Sequence, residues 1–222
     1  LVHGWGHSRI DSLVRRAPWV SLVDRMILYD LRAHGEAPHT ASNLGWQEEH
    51  DLLALIDRLE GPIVVVGHSM GGVIALRAAA ADRRGRIAGV CVHGIYDEFA
   101  RSLRNRIESD GYPARPWSDL AMAWFRLLGM RHPPARRAAS DAACPILAIH
   151  GADDPISPLA DAERIVAVAS DAELVVVAGG GHLDAHEVDA DGLCKSAEAF
   201  LRRALQLDAD ECGRRSPGAP TD

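Results

Sequence analysis

The chain has 222 residues, 47% of them hydrophobic and 25% charged, which is enough for one domain with a large core. Its formal net charge of -7 and the lack of any block rich in lysine and arginine argue against a nucleic-acid-binding protein. No apolar run in the sequence approaches the roughly 18 residues of a membrane helix. The four cysteines show no C-x-x-C spacing, which argues against a zinc or redox motif.

Short apolar runs rich in β-branched residues predict the strands of a sheet. They cover residues 25–30, 62–67, 86–94, 144–151 and 172–180. These runs are nearly continuous rather than alternating, which is typical of strands that are covered on both faces of a parallel sheet. The opening letters LVHG look like the end of a further, central strand, so we expect the natural protein to extend upstream and to contain further strands.

Helical patterns separate these predicted strands. They cover residues 45–60, 71–82, 157–169 and 189–206. The first of them places leucine and isoleucine side chains on one stripe, and the third begins with Ser157 as a cap and Pro158 at the first helical position. Alternation of strands and helices at this spacing predicts an α/β fold, with a mostly parallel central sheet and helices on both faces.

Residues 97–143 interrupt this alternation, because they hold helical patterns and no strand pattern. We predict that they form a short helical lid inserted between two strands. The spacing of Leu120, Trp124, Leu127 and Leu128 indicates one apolar helix face turned inward. Trp124, Leu127 and Leu128 are therefore candidate pocket residues, with a purely structural core as the alternative.

The predicted domain covers residues 1–207. The polar tail 208–222 contains proline and glycine and is predicted to be disordered. We predict a cytoplasmic location, with a signal peptide upstream of Leu1 as the open alternative. The oligomeric state stays open.

The letters VVVGHSMGGV, residues 64–73, contain the pentapeptide G-x-S-x-G between a strand pattern and a helix pattern. Ser69 is either an ordinary turn serine or a nucleophile raised on a sharp bend. Gly67 and Gly71 favour the second reading, because side chains at these positions would collide with the neighbouring strand and helix. A nucleophilic serine also needs a base and an acid.

Both groups follow later strand patterns, in the order that such an enzyme requires. Asp153 and Asp154 come just after the predicted strand 144–151 and compete for the role of acid. His182 follows the next strand, in a glycine turn, and is the candidate base. His182 and His186 lie four residues apart beside carboxylates, which gives a metal site as the alternative.

Together these motifs resemble the α/β-hydrolase superfamily over nearly the whole chain. HGWG is similar to its oxyanion loop, DLRAHGEA to its D-x-R-G-x-G-x-S loop, and GHSMGG to its nucleophile elbow. HGADDPISP is similar to G-x-x-D-x-x-x-P, which assigns the acid to Asp154, and GGGH assigns the base to His182. Some members carry the acid after an earlier strand, so Asp97 is a rival candidate.

The resemblance implies an enzyme that needs no cofactor and no metal. Ser69 would attack an acyl carbonyl, His182 would move the proton, and the backbone N–H groups of Trp5 and Met70 would bind the oxyanion. The chain is most similar to bacterial esterases and monoacylglycerol-lipase-like members. The expected substrate is a small carboxylic ester of short to medium acyl chain; the alternatives are a peptidase or amidase of the same fold and a non-catalytic binding protein.

Overall fold

The computed structural model describes residues 1–206 apart from residues 21, 39 and 183. Four strands form one parallel sheet in the order β1-β2-β3-β4 over this part of the chain. They are β1 (Ile63–His68), β2 (Ile87–His93), β3 (Ile146–Gly151) and β4 (Ala172–Val177). Each lies within a predicted strand or within a residue of one. The tail predicted over 208–222 lies outside the described residues.

Helices cover both faces of the sheet, which confirms the predicted fold class. A 3-10 helix spans Asp11–Arg16, and the α-helices are α1 (Ala17–Val20), α2 (Glu48–Ile56), α3 (Met70–Ala81), α4 (Phe99–Ser109), α5 (Trp117–Leu127), α6 (Ala135–Asp141), α7 (Leu159–Val166), α8 (Ala185–Val188) and α9 (Ala190–Leu205). Helices α2, α3, α6 and α7 pack on one face, and α1, α8 and α9 pack on the other. No helix within the described ranges is long and apolar enough to cross a membrane.

The core consists of two apolar layers, one on each face of the sheet. Successive strand side chains point to opposite faces, so Val90 and Val92 of β2 join the layer under α3, while Cys91 joins the layer under α9. Ile74 in α3 and Phe200 in α9 are buried in these layers. Burial of one such side chain contributes about 1.5–3 kcal/mol, so both helices are held firmly against the strands that carry the candidate site.

The predicted strand over 25–30 is wrong, since only Tyr29 of this stretch pairs, through a single bridge to Val2. Val2 in turn pairs with the β1 edge: its N–H donates to the Val66 carbonyl (2.8 Å), and its carbonyl accepts from the His68 N–H (3.0 Å). A β-strand forms only where a neighbouring strand provides backbone hydrogen-bond partners along its length. For residues 25–30 the described bridge partner at this edge is the single residue Val2. The stretch is therefore extended but irregular.

The segment predicted as a lid contains three helices, α4, α5 and α6. The inward apolar face predicted for α5 is wrong. Trp124, Leu127 and Leu128 are 59%, 80% and 55% exposed, and Leu120 is exposed as well. The opposite side of α5 packs on the core instead, through the partly buried residues Ala121, Met122 and Phe125.

Candidate active site

Ser69 lies on the sharp turn between β1 and α3, as the sequence predicts. Its backbone has φ 50° and ψ -116°, a region that residues with a Cβ rarely adopt. The Ser69 N–H donates to the His93 carbonyl (2.8 Å), and the Ser69 carbonyl accepts from the Gly72 N–H (2.9 Å). The surrounding backbone thus holds a strained residue in place, as is common at functional sites.

Two glycines make this turn sterically possible. A Cβ on Gly67 would lie 2.3 Å from the Gly71 carbonyl oxygen, and a Cβ on Gly71 would lie 2.3 Å from the Val2 carbonyl oxygen. Both obstacles are backbone atoms, which cannot rotate away. The strand, the helix and the loop that begins at Val2 therefore approach each other closely enough to crowd around Ser69.

Three of the predicted site residues form a continuous hydrogen-bonded chain. Nε2 of His182 lies 3.1 Å from Oγ of Ser69, and Nδ1 of His182 lies 2.7 Å from Oδ2 of Asp154. The other carboxylate oxygen of Asp154 accepts from the backbone N–H groups of Ile156 and Ser157, each at 2.8 Å. With Nδ1–H donating to the carboxylate, Nε2 is the acceptor that faces the serine hydroxyl.

The two rival carboxylates point elsewhere. Asp153 is exposed, and its backbone N–H donates to the Gly180 carbonyl (2.9 Å). Asp97 is buried but bound to Arg136, accepting from its guanidinium and from its backbone N–H. Over the described residues, neither carboxylate forms a hydrogen bond with His182.

The loop HGWG lies against the nucleophile turn. A Cβ on Gly4 would lie 3.4 Å from Cβ of Ser69, and Trp5 lines the same cleft as Ser69. Met70 is the first residue of α3, where helix geometry provides no acceptor for the N–H group within the helix. The two predicted oxyanion donors therefore belong to segments that meet at Ser69.

His3 braces this loop. It is buried; its Nε2 accepts from the Leu31 N–H (2.9 Å), so its Nδ1–H donates to the Gly4 carbonyl (2.8 Å). Burial lowers the pKa of His3, and only the neutral ring can act as that acceptor. His3 thus holds the HGWG loop in place and is not among the described residues that line the cleft.

The cleft at Ser69 is small, enclosing about 40 Å³. Its lining residues are Gly4, Trp5, His7, Ser69, Met70, Tyr96, Phe99, Ser102, Leu103, Arg106, Ile156 and His182. The predicted pocket residues Trp124, Leu127 and Leu128 are not among them, because their face of α5 points to solvent. A larger groove of about 630 Å³ runs along the edge of β1 beside Leu1 and Val2 and does not include Ser69.

Helix α4 supplies the lid side of this cleft, which the sequence analysis missed. Phe99, Ser102, Leu103 and Arg106 follow the i, i+3, i+4, i+7 spacing of one helix face. Asn105 donates to the Ile156 carbonyl (3.0 Å), which ties the helix to the loop after β3. The helical spacing of these four residues is a usable signal, but they do not form an apolar stripe because they include both apolar and polar side chains.

Two further histidines lie beneath the site. His68 and His93 are buried, with ring centroids 4.7 Å apart, and both nitrogens of His68 lack a hydrogen-bond partner within the described part of the chain. Burial lowers the pKa of His93 to about 3 and that of His68 well below its usual value. Both rings are therefore neutral at physiological pH.

The alternative metal reading rests on His182 and His186. His186 lies 3.7 Å from Glu187, its sequence neighbour, while His182 faces Ser69 and Asp154. No three histidine, cysteine or carboxylate side chains converge as a metal site anywhere in the described ranges.

Known proteins resemble this chain in sequence and in fold. Protein phosphatase methylesterase 1 from Pongo abelii is 32% identical over 116 residues, covering 49% of this chain and 30% of that protein. The chain thus matches less than a third of that relative's length. The Pyrococcus furiosus esterase Pf2001 superposes with a TM-score of 0.72 at 20% identity, covering 91% of this chain and 81% of that one. An esterase from Thermogutta terrifontis superposes with a TM-score of 0.66 at 24% identity, covering 92% and 89%.

These structural likenesses show a shared fold. A family model described as "Alpha/beta hydrolase family" matches residues 1–195. That match extends from the HGWG loop through β4 and His182 into α9. The chain therefore belongs to the alpha/beta hydrolase family.

Proposed function

We propose that this hydrolase cleaves small carboxylic esters through an acyl-enzyme intermediate. The observation that carries the proposal is the unbroken contact from Ser69 through His182 to Asp154. In the proposed roles, Ser69 is the nucleophile, His182 the general base and Asp154 the acid that orients the imidazole.

The positions of Ser69, His182 and Asp154 suit the proton transfers that are needed to move an acyl group from an ester to water. As Oγ of Ser69 attacks the ester carbonyl, its proton passes to Nε2 of His182, which lies 3.1 Å from Oγ. The imidazolium is stabilised by the Asp154 carboxylate and returns the proton to the departing alcohol. Water then repeats the sequence on the acyl-enzyme, releasing the acid and restoring Ser69.

Charge on the tetrahedral oxygen needs two donors. We assign these to the N–H groups of Met70 and Trp5, because both residues line the cleft beside Ser69. The N-terminus of α3 adds a favourable partial positive charge at the same point. One such donor contributes a factor of about 10² to 10³ to kcat in comparable sites.

The size of the cleft supports short acyl groups. The cleft has a volume of about 40 Å³, and Phe99 and Leu103 of α4 line it, so we expect this helix to limit the length of the acyl chain. Phe99, Leu103 and Ile156 supply an apolar lining for the first carbons of the chain. Each buried methylene adds about 0.8 kcal/mol, so activity should rise with chain length until the cleft is full.

The ester preference is supported by the name of the methylesterase relative. The test is kcat/KM for p-nitrophenyl esters from acetate to palmitate, with an aminoacyl p-nitroanilide as the amide control. We expect a maximum at short to medium chains, near-inert amide, and labelling of wild type but not Ser69→Ala by a fluorophosphonate probe. A maximum at palmitate would indicate a true lipase, faster amide cleavage would indicate a peptidase, and no labelling would indicate a non-catalytic protein.

A further inference from the structure

One charged side chain stands out among the residues that line the cleft at Ser69. Arg106 belongs to the lid helix α4 and is partly exposed, and it shares the cleft with Ser69 and His182. A guanidinium stays charged at any physiological pH and offers five N–H donors in a planar fork.

The other arginines of α4 are engaged elsewhere. Arg101 lies 3.0 Å from the fully buried carboxylate of Asp161, and Arg104 lies 3.5 Å from Asp119 of α5. Arg106 contacts only Asp110 among the ion pairs described, at 3.3 Å, and both side chains of this pair are about half exposed. Exposed pairs are weak, about 0–1 kcal/mol, so Arg106 can exchange Asp110 for a ligand at little cost.

No carboxylate side chain belongs to the described lining of this cleft. Its other polar side chains near Arg106 are the Ser102 hydroxyl and the His7 ring, both able to donate to an anion. Burial lowers the pKa of His7, Asp11 partly opposes this, and the charges of Arg15 and Arg106 add to the lowering.

The local charge contrasts with the charge of the whole protein. The lid, residues 97–143, carries eight arginines against six carboxylates, although the chain has a net charge of -7. An excess of positive charge in this segment of an acidic protein favours the approach of anions to its side of the cleft.

We propose that the ester cleaved at Ser69 carries an anionic group, a carboxylate or a phosphate, and that Arg106 binds it. This inference rests on the proposed esterase function and names its substrate class. Arg106 makes a charge-assisted, two-point hydrogen bond to the anion. Ser102 and His7 complete the anion subsite, while Phe99 and Leu103 cover the carbon chain between anion and ester.

The first experiment compares matched anionic and neutral esters. Monomethyl glutarate and methyl pentanoate test an anion on the acyl side; acetoxyacetate and propyl acetate test one on the alcohol side; a phosphate-bearing acetate ester tests the other anion. The readout is the ratio of kcat/KM for the anionic over the neutral ester. In Arg106→Gln this ratio should fall about tenfold to a hundredfold in one arm at least, the effect of one charge-assisted hydrogen bond.

Two variants of the same helix region serve as matched controls. Arg104→Gln removes an arginine that does not line the cleft and should leave the ratio at its wild-type value. Asp110→Asn removes the partner that competes for Arg106 and should raise the ratio several-fold. An unchanged ratio in Arg106→Gln, or an equal fall in Arg104→Gln, would overturn the inference.

The outcomes separate this inference from the proposed function. Hydrolysis of neutral esters with no dependence of the ratio on Arg106 leaves the esterase proposal standing and refutes the anion subsite. If no ester is hydrolysed, NMR titration of Ser69→Ala with monomethyl glutarate and methyl pentanoate still decides. If monomethyl glutarate binds more tightly than methyl pentanoate, and this difference is lost in Ser69→Ala/Arg106→Gln, the subsite is supported. Equal binding of the two esters refutes it.

Discussion

Gly71→Ala tests whether the crowded turn positions the oxyanion loop. The new Cβ would lie 2.3 Å from the Val2 carbonyl oxygen and 2.5 Å from that of His3. Ordinary contact begins about 1 Å further out, so the loop must retreat by about that distance, which costs about 1–3 kcal/mol of stability as overpacking does. Because Trp5 follows in the same loop, its N–H would leave the position that we propose for an oxyanion donor beside Ser69. A displacement of this size can lower the rate about 10²-fold, and loss of one donor about 10² to 10³-fold.

The assay is kcat for p-nitrophenyl acetate together with the rate of labelling by a fluorophosphonate. Gly72→Ala is the matched control, because its Cβ would lie 3.3 Å from the Val92 side chain rather than against the oxyanion loop. We expect the control to stay within about threefold of wild type, well short of the loss of one oxyanion donor. A folded Gly71→Ala protein, verified by circular dichroism, that also stays within that range would refute the argument.

Three further predictions concern the acid, the buried histidines and the lid. Asp154→Asn should lower kcat roughly 10⁴-fold, since an amide cannot select the required histidine tautomer, while the exposed Asp153→Asn should change it by less than about twofold. Burial lowers the pKa of His93 from 6.5 to about 3, so only the unfolded state gains that proton as the pH falls through this window. In urea unfolding, the free energy of unfolding should fall by about 1.4 kcal/mol for each pH unit because of this residue, as the pH drops from 6.5 towards 3. The fall should be shallower in His93→Gln. Trp124→Ala should leave the ester chain-length profile unchanged, whereas Leu103→Ala should shift its maximum to longer chains.

Each of these predictions has an outcome that contradicts it. A larger loss of kcat in Asp153→Asn than in Asp154→Asn would contradict the assignment of Asp154 as the acid. Equal pH dependence of unfolding in wild type and His93→Gln would show that this ring is protonated in the fold. A chain-length shift in Trp124→Ala alone would place α5, rather than α4, over the acyl group.

The sheet and the nucleophile turn could be predicted because their signals are local. Continuous runs of valine and isoleucine mark strands covered on both faces, and β1 to β4 lie where those runs lie. The two glycines around Ser69 mark a turn that only glycine permits. The stretch 25–30 has an equally apolar pattern, but a strand also needs a neighbour, and pairing at the β1 edge depends on residues distant in the sequence.

The inward-facing residues of the predicted lid could not be identified from the sequence, because helical periodicity identifies an apolar face without saying where that face points. In α5 the apolar stripe that contains Trp124 points to solvent, while Met122 and Phe125 pack inward. In α4 the inward face mixes Phe99 and Leu103 with Arg106, so no apolar stripe marks it. A rule that turns apolar residues inward therefore selects the wrong helix of the two.

The choice between Asp153 and Asp154 shows where sequence patterns end and geometry begins. Both follow β3, and successive side chains leaving a strand point in opposite directions, so only one of them can face His182. The direction is fixed by the next turn, in which the N–H groups of Ile156 and Ser157 both donate to Oδ1 of Asp154. These two bonds occupy Oδ1 and leave Oδ2 facing Nδ1 of His182, at 2.7 Å. The proposed acid is therefore distinguished from its neighbour by a backbone turn two residues further on, and not by any property of either aspartate alone.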